Sequence, residues 1–102
     1  MGLDVQKLLN SLGLASSASK LVYGEKLFEN IKQKKIGLVL TTSDMGISQL
    51  KKINNKCVFY KIKIINNLFN SEQLNQAIGK KNIKSIGISD RNFIKLVLKN
   101  IE

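Results

Sequence analysis

The sequence predicts an α/β domain: a three-layer α-β-α sandwich with helices on both faces of a mixed four-stranded sheet. Three observations carry that reading. Apolar residues at helical spacing alternate with short apolar runs of strand length, in the order helix, short strand, helix, strand, helix, strand, helix, strand, helix. Two runs, Ile36-Gly37-Leu38-Val39-Leu40-Thr41 and Ser85-Ile86-Gly87-Ile88, are nearly continuous rather than alternating, as expected of strands covered on both faces. Finally, 102 residues with 43% hydrophobic content suffice for one modest core. With no linker, low-complexity segment or internal repeat, residues 1–102 read as a single domain.

Val5, Leu8, Leu9, Leu12 and Ala15 fall on one face of a helix from about Asp4 to Ser17. Asp4 suits its N-cap, and Leu3 with Leu8 has the spacing of a hydrophobic staple. Gly13 inside this pattern costs about 1 kcal/mol of propensity and marks a candidate close backbone approach. Leu21-Val22 is a short strand. Gly24 to about Gln33 is a second helix with Leu27, Phe28 and Ile31 inward. After the first continuous run, Ser43 or Asp44 caps a third helix bearing Ile47, Leu50 and Ile53. Cys57 to Ile62 reads as a strand, and Asn66-Asn67 as a turn. Asn70-Ser71-Glu72-Gln73 is a capping box, and Phe69 with Leu74 completes a staple. That helix runs to Ile78, and Gly79 ends it. After the second continuous run, Asp90 caps a last helix with Phe93, Ile94, Val97 and Ile101 inward.

The formal net charge is +10 and the charge is uneven. Residues 1–50 carry six basic and four acidic side chains; residues 51–102 carry eleven and three. This excess favours a polyanionic partner. An AT-rich genome would also enrich Lys, Asn and Ile. Arg91 is the single arginine, so phosphate contact by lysine is favoured over guanine reading by arginine forks.

Catalytic resources are thin. There is no histidine, hence no Cys/His pair and no ordinary zinc site. The seven carboxylates include Asp4, Asp44 and Asp90, all at expected helix caps, and Glu25 with Glu29, a solvated like-charge pair rather than a metal site. Asp44 lacks the acidic neighbours a phosphoacceptor needs, and Gly79-Lys80-Lys81 lacks the strand before a phosphate-binding loop. No enzyme activity, cofactor, metal or small-molecule substrate is implied. The lone Cys57 reads as a buried structural thiol and points to a reducing, cytoplasmic setting. No run is long enough to span a bilayer. Met1-Gly2 is a weak myristoylation signal, since Gln6 stands where Ser or Thr is required.

Two basic features remain: Lys20, Lys26 and Lys34 around the second helix, and Lys80-Lys81-Asn82-Ile83-Lys84 before the last strand. The Gly24 helix start exposes unpaired N–H groups and a positive dipole end. If sheet order brings both loops to one end, they form one groove. The polar C-terminal ends of the central strands, Thr41-Thr42-Ser43-Asp44 and Ser89-Asp90, compete as a site. Tyr23, Phe59 and Tyr60 are candidates for base stacking, with Phe59 and Tyr60 on opposite faces of the expected strand.

Several stretches together resemble the small YlxQ-type bacterial members of the kink-turn-binding ribosomal protein superfamily. They are Leu12-Gly13-Leu14-Ala15, Lys20-Leu21-Val22-Tyr23-Gly24-Glu25, Leu38-Val39-Leu40 through Asp44, Lys56-Cys57 with Tyr60, Leu74 with Ala77-Ile78-Gly79-Lys80, and Gly87-Ile88-Ser89-Asp90 with Phe93. The resemblance covers nearly the whole chain and implies an α-β-α sandwich that clamps structured, sharply kinked RNA, ribosomal RNA included. It implies RNA contact at the second-helix start (Lys20, Gly24, Glu25, Lys26, Leu27, Asn30, Lys34) and at the loop before the last strand (Lys80, Lys81, Asn82). The chain departs from the superfamily pattern at four places. Leu27 stands where a base-contacting Glu or Gln belongs, Asn30 where a lysine belongs and Lys63 where a proline is frequent, and Lys80-Lys81-Asn82 is more basic than the usual apolar-acidic loop of the strict kink-turn binders. A module docking an acidic protein, and a detached relative of RNA methyltransferase substrate-binding domains, are the alternative readings.

Overall fold

Asp4 opens the first helix, its carboxylate accepting from the Lys7 N–H at 3.0 Å. In the computed structural model, which describes residues 3–102, the chain then runs α1 (Val5–Ser17), β1 (Leu21–Val22), α2 (Glu25–Lys32), β2 (Leu38–Thr41), α3 (Ile47–Phe59), β3 (Lys63–Ile65), α4 (Ser71–Ile78), β4 (Ser85–Ile88) and α5 (Arg91–Ile101). The Met1-Gly2 pair considered as a lipidation signal lies outside the described residues. The capping box at Asn70 and Gln73 forms, and Gly79 ends α4 in the left-handed region. Asp90 caps α5, accepting from the N–H groups of Asn92 and Phe93.

The sheet has the order β1-β4-β2-β3. β4 is antiparallel to both neighbours, and β2 is parallel to β3, so the sheet is mixed as expected. Side chains alternate across it. Leu38 and Leu40 of β2, with Ile86 and Ile88 of β4, face a core of eleven buried residues shared with α1, α4 and α5. Val39 faces a smaller core of six, shared with α2 and α3. These are the three layers.

Two glycines allow close approach. A Cβ on Gly13 would stand 3.0 Å from the Ala77 carbonyl oxygen, so its absence seats α1 against α4. A Cβ on Gly87 would collide with the Leu27 side chain and come within 3.2 Å of Ile36. Its absence lets α2 lie directly on β4, where Leu27 and Ile31 are wholly buried. Burial of each such side chain stabilises by about 1.5–3 kcal/mol.

Three expectations are corrected. The segment from Cys57 is not a strand: α3 continues to Phe59, Tyr60 caps it, and Lys61 turns the chain at φ 58°. The β-type residues there are overridden because Leu50, Ile53 and Cys57 extend one helical stripe into the smaller core. The strand starts later, at Lys63. Gly46, not Ser43 or Asp44, stands at the α3 N-cap, and Ile47 in its first turn is 75% exposed instead of inward. Finally, the polar C-terminal ends of β2 and β4 do not share an edge. The strands are antiparallel with Thr41 opposite Ser85, so those ends lie at opposite ends of the sheet.

Gly87→Val should lower stability by about 1–3 kcal/mol through overpacking against Leu27. The urea midpoint measures it, and an unchanged midpoint would show that α2 does not depend on this contact.

Candidate nucleic-acid interface

Strand register brings three chain segments to one end of the sheet. Val22 pairs with Gly87 and Thr41 with Ser85. The chain leaving β1, the chain leaving β2 and the chain entering β4 therefore meet there. Between them is a cleft of about 420 Å³. It is lined by Gly24 and Phe28 of the α2 side, Met45, Gln49 and Lys52 of the α3 side, and Asn82, Ile83, Lys84 and Ser85. The helix start and the basic loop, joined only conditionally by the sequence, line the same cleft.

Helix ends give this cleft its polarity. Asp4, Asn70 and Asp90 cap α1, α4 and α5 with side-chain oxygens. α2 and α3 start at Gly24 and Gly46 with no side-chain cap. Both uncapped starts adjoin the cleft, through Gly24 itself and through Met45 and Gln49. Their N–H groups and dipole ends favour an anion there. Gly24 has φ 68° and ψ −147°, a conformation nearly closed to residues with a Cβ, and this turn swings the chain from β1 into α2.

The basic loop is held from behind by Asn75. Its amide Nδ2 donates to the carbonyl oxygens of Ser71 (2.6 Å) and Ile83 (2.9 Å), and its Oδ1 accepts from the Ile83 N–H at 3.0 Å. Asn82 turns the loop at φ 59°. Lys80 Nζ lies 5.9 Å from the centre of the Tyr23 ring. Lys84 Nζ donates to the Asp44 carbonyl oxygen at 3.4 Å. The Asp44 carboxylate accepts from the Ser71 hydroxyl (2.5 Å) and the Ser71 N–H (2.9 Å). The Ser71 hydroxyl bond is the main cause holding its pKa down to about 2. Asp44 thus serves the start of α4 rather than α3.

The sequence-derived site residues divide clearly. Gly24, Glu25 and Lys26 are exposed at the start of α2, with Asn30 half-buried one turn on. Lys80, Lys81 and Asn82 are exposed on the loop. Leu27 does not belong with them: its side chain is 0% exposed and packs in the smaller core, so it offers no surface to a base. Helical spacing, which placed it inward, prevails over its position in the resemblance. Lys34 lies beyond the C-terminal end of α2, at φ 58°. Lys20 is at the other end of the sheet, since Leu21 pairs with Ile88, and its Nζ lies 3.8 Å from the Asp90 carboxylate. That is the one ion pair among the described residues. Asn75 and the Asp44–Ser71 link escaped the sequence reading. The available signal for Asn75 was a polar residue of low helix propensity set between Leu74 and Ala77.

Elsewhere, Cys57 is buried and burial pushes its thiol up to about 11, which keeps it protonated and unreactive. Among the described residues no three His, Cys, Asp or Glu side chains cluster as metal ligands. Nor, among them, is any helix long and apolar enough to cross a membrane.

No protein-family model matches the chain. Two curated relatives do. One, the RNA-binding protein YlxQ of Enterococcus faecium, is 35% identical over 98 residues, covering 95% of this chain and 93% of its own. The second, the RNA-binding protein YlxQ of Bacillus subtilis (strain 168), is 34% identical over 83 residues, covering 80% and 82%. Among solved structures, a Bacillus halodurans protein of unknown function superposes with a TM-score of 0.83 at 36% identity, over 90% of this chain and 94% of the other. A Giardia lamblia 15.5kD RNA binding protein reaches a TM-score of 0.78 at 15% identity, over 93% and 82%, a likeness of fold.

Asn75→Ala should cost about 1–3 kcal/mol, because it strands the half-buried N–H and carbonyl of Ile83. Chemical denaturation reads the loss; no change would mean the loop is held by other contacts. The low Asp44 pKa contributes stability that is full above its ordinary value of 3.8 and is lost as pH falls through about 2. Melting temperatures followed from pH 5 to 2 should therefore fall more steeply for the wild type than for Asp44→Asn. Parallel curves would show that Ser71 does not hold the charge.

Proposed function

The chain belongs to the YlxQ family, and on that premise we propose that it is a non-enzymatic, cytoplasmic, ribosome-associated RNA-binding protein that holds structured, kink-turn-like RNA. The observation that carries this is the shared cleft: two uncapped helix starts and a lysine-rich loop converge on one end of the sheet. The naming of the E. faecium and B. subtilis relatives as RNA-binding proteins supports the same reading.

The mechanism follows from the residues that reach the surface. Lys52 and Lys84 line the cleft, and Lys26 on α2 and Lys80 and Lys81 on the loop are exposed on the elements that border it; together they neutralise phosphates of the strands entering it. The N–H groups at the starts of α2 and α3 take further phosphate oxygens. Asn82 and the half-buried Asn30 supply amides for sugar or base edges. With Leu27 withdrawn into the core, no side chain at that position reads a base, and the discrimination of about 1–3 kcal/mol that such a contact supplies is absent. Recognition therefore rests on the spacing of phosphates in a bent RNA more than on base identity.

Affinity for a kink-turn RNA, a plain duplex and a single strand, each measured across salt, tests this. The kink-turn RNA should bind most tightly, with log K falling linearly in log salt. Lys26→Glu or Lys81→Glu should weaken it on the order of tenfold and flatten the salt slope by about one, whereas Lys99→Glu should change little. Equal affinity for all three RNAs would overturn the structured-RNA reading, and no binding at low salt would overturn RNA binding altogether. Capture of an acidic protein that persists after nuclease treatment would turn the reading toward protein docking.

A further inference from the structure

We propose that the outer face of α3 carries a second RNA contact, a stacking platform at Phe59 for an unpaired base on a single strand leaving the cleft. This rests on the RNA-binding reading above and extends it along α3 to a surface that shares only Lys52 with the first cleft. Lys52, Asn55, Lys56, Phe59 and Tyr60 recur at helical spacing and line a shallow cleft of about 390 Å³. Lys52 also lines the first cleft, so the two adjoin at that residue, and its Nζ lies 5.2 Å from the centre of the Phe28 ring.

Phe59 has no place in either core. It is 77% exposed, beside Val58 at 74%, while Ile53 and Cys57 on the other side of α3 fill the core. Its ring meets Tyr60 edge to face, centroids 4.8 Å apart at 80°, and Tyr60 packs against the smaller core. An exposed ring flanked by cations is the arrangement that stacks bases while lysines take the adjoining phosphates. Charge selects the occupant. Between Asp44 and Glu72 there are five lysines and no carboxylate. A second copy docking this face on itself would set Lys52 and Lys56 against their own counterparts, and like charges across an interface are unfavourable. A polyanion meets no such penalty.

The test compares three probes: a kink-turn hairpin with blunt ends, the same hairpin carrying a hexauridine tail, and hexauridine alone. For the wild type the tail should tighten binding by about fivefold or more. Phe59→Ala should remove that gain and weaken hexauridine binding, yet leave the blunt hairpin unchanged; Phe59→Trp should retain the gain. Because Phe59 is mostly exposed, neither variant threatens the fold. A tail that adds nothing to the wild type, or a gain that survives Phe59→Ala, overturns the platform while leaving the clamp standing. Phe59-dependent binding of hexauridine without blunt-hairpin binding would keep the platform and reject the clamp. Concentration-dependent dimerisation of the free protein that Phe59→Ala abolishes would assign the face to a second copy instead and overturn the proposal.

Discussion

Leu27 occupies the volume that a side chain on Gly87 would fill. That contact presses α2 onto the middle of the sheet, and the rest of the working end depends on it. With α2 seated there, its first turn comes out beside the start of β4, and Gly24 stands across a cleft from Asn82, Lys84 and Ser85. Gly24 makes the required turn, since its backbone angles are closed to most residues. Two glycines thus place a helix start, one by leaving space and one by bending the chain.

Side-chain oxygens of Asp4, Asn70 and Asp90 close the other three helix starts, and the one ion pair among the described residues, Lys20 with Asp90, is at the opposite end of the sheet. Asp44, the carboxylate that follows β2, is committed to Ser71. Lys26, Lys80 and Lys81 are left exposed and without carboxylate partners. Lysine suits the proposed phosphate contacts: it neutralises a phosphate from many angles and does not demand the fixed geometry of an arginine fork.

Much of this was legible in the sequence where the signal is local. The Asn70–Gln73 capping box, the Gly79 stop, the Asp4 and Asp90 caps and the two continuous central strands all depend on residues within a few positions of one another. The errors came where longer-range packing decides. Cys57, Val58, Phe59 and Tyr60 have strand propensity, but the stripe from Leu50 through Cys57 docks on α2 and keeps them helical. Asp44 sits near α3 in sequence yet bonds to the start of α4, 27 residues away. The meeting of the residue-24 turn with the residue 80–84 loop needed the strand register. The clip from Asn75 needed the loop to fold back on α4. For Leu27, periodicity points inward and the resemblance points to RNA; periodicity is the sounder guide because burial is a property of this chain's own packing.

The two cores are unequal, eleven buried residues against six. The smaller one holds α2 and α3, the helices whose starts border the cleft. Cooperative units with fewer buried apolar side chains open at lower free energy, so amide protons on these two helices are expected to exchange with solvent before those of the larger layer. The molecule is therefore built as a firm base, made of α1, α4, α5 and the sheet, carrying a looser upper layer. Opening of that layer would leave what lies beneath folded.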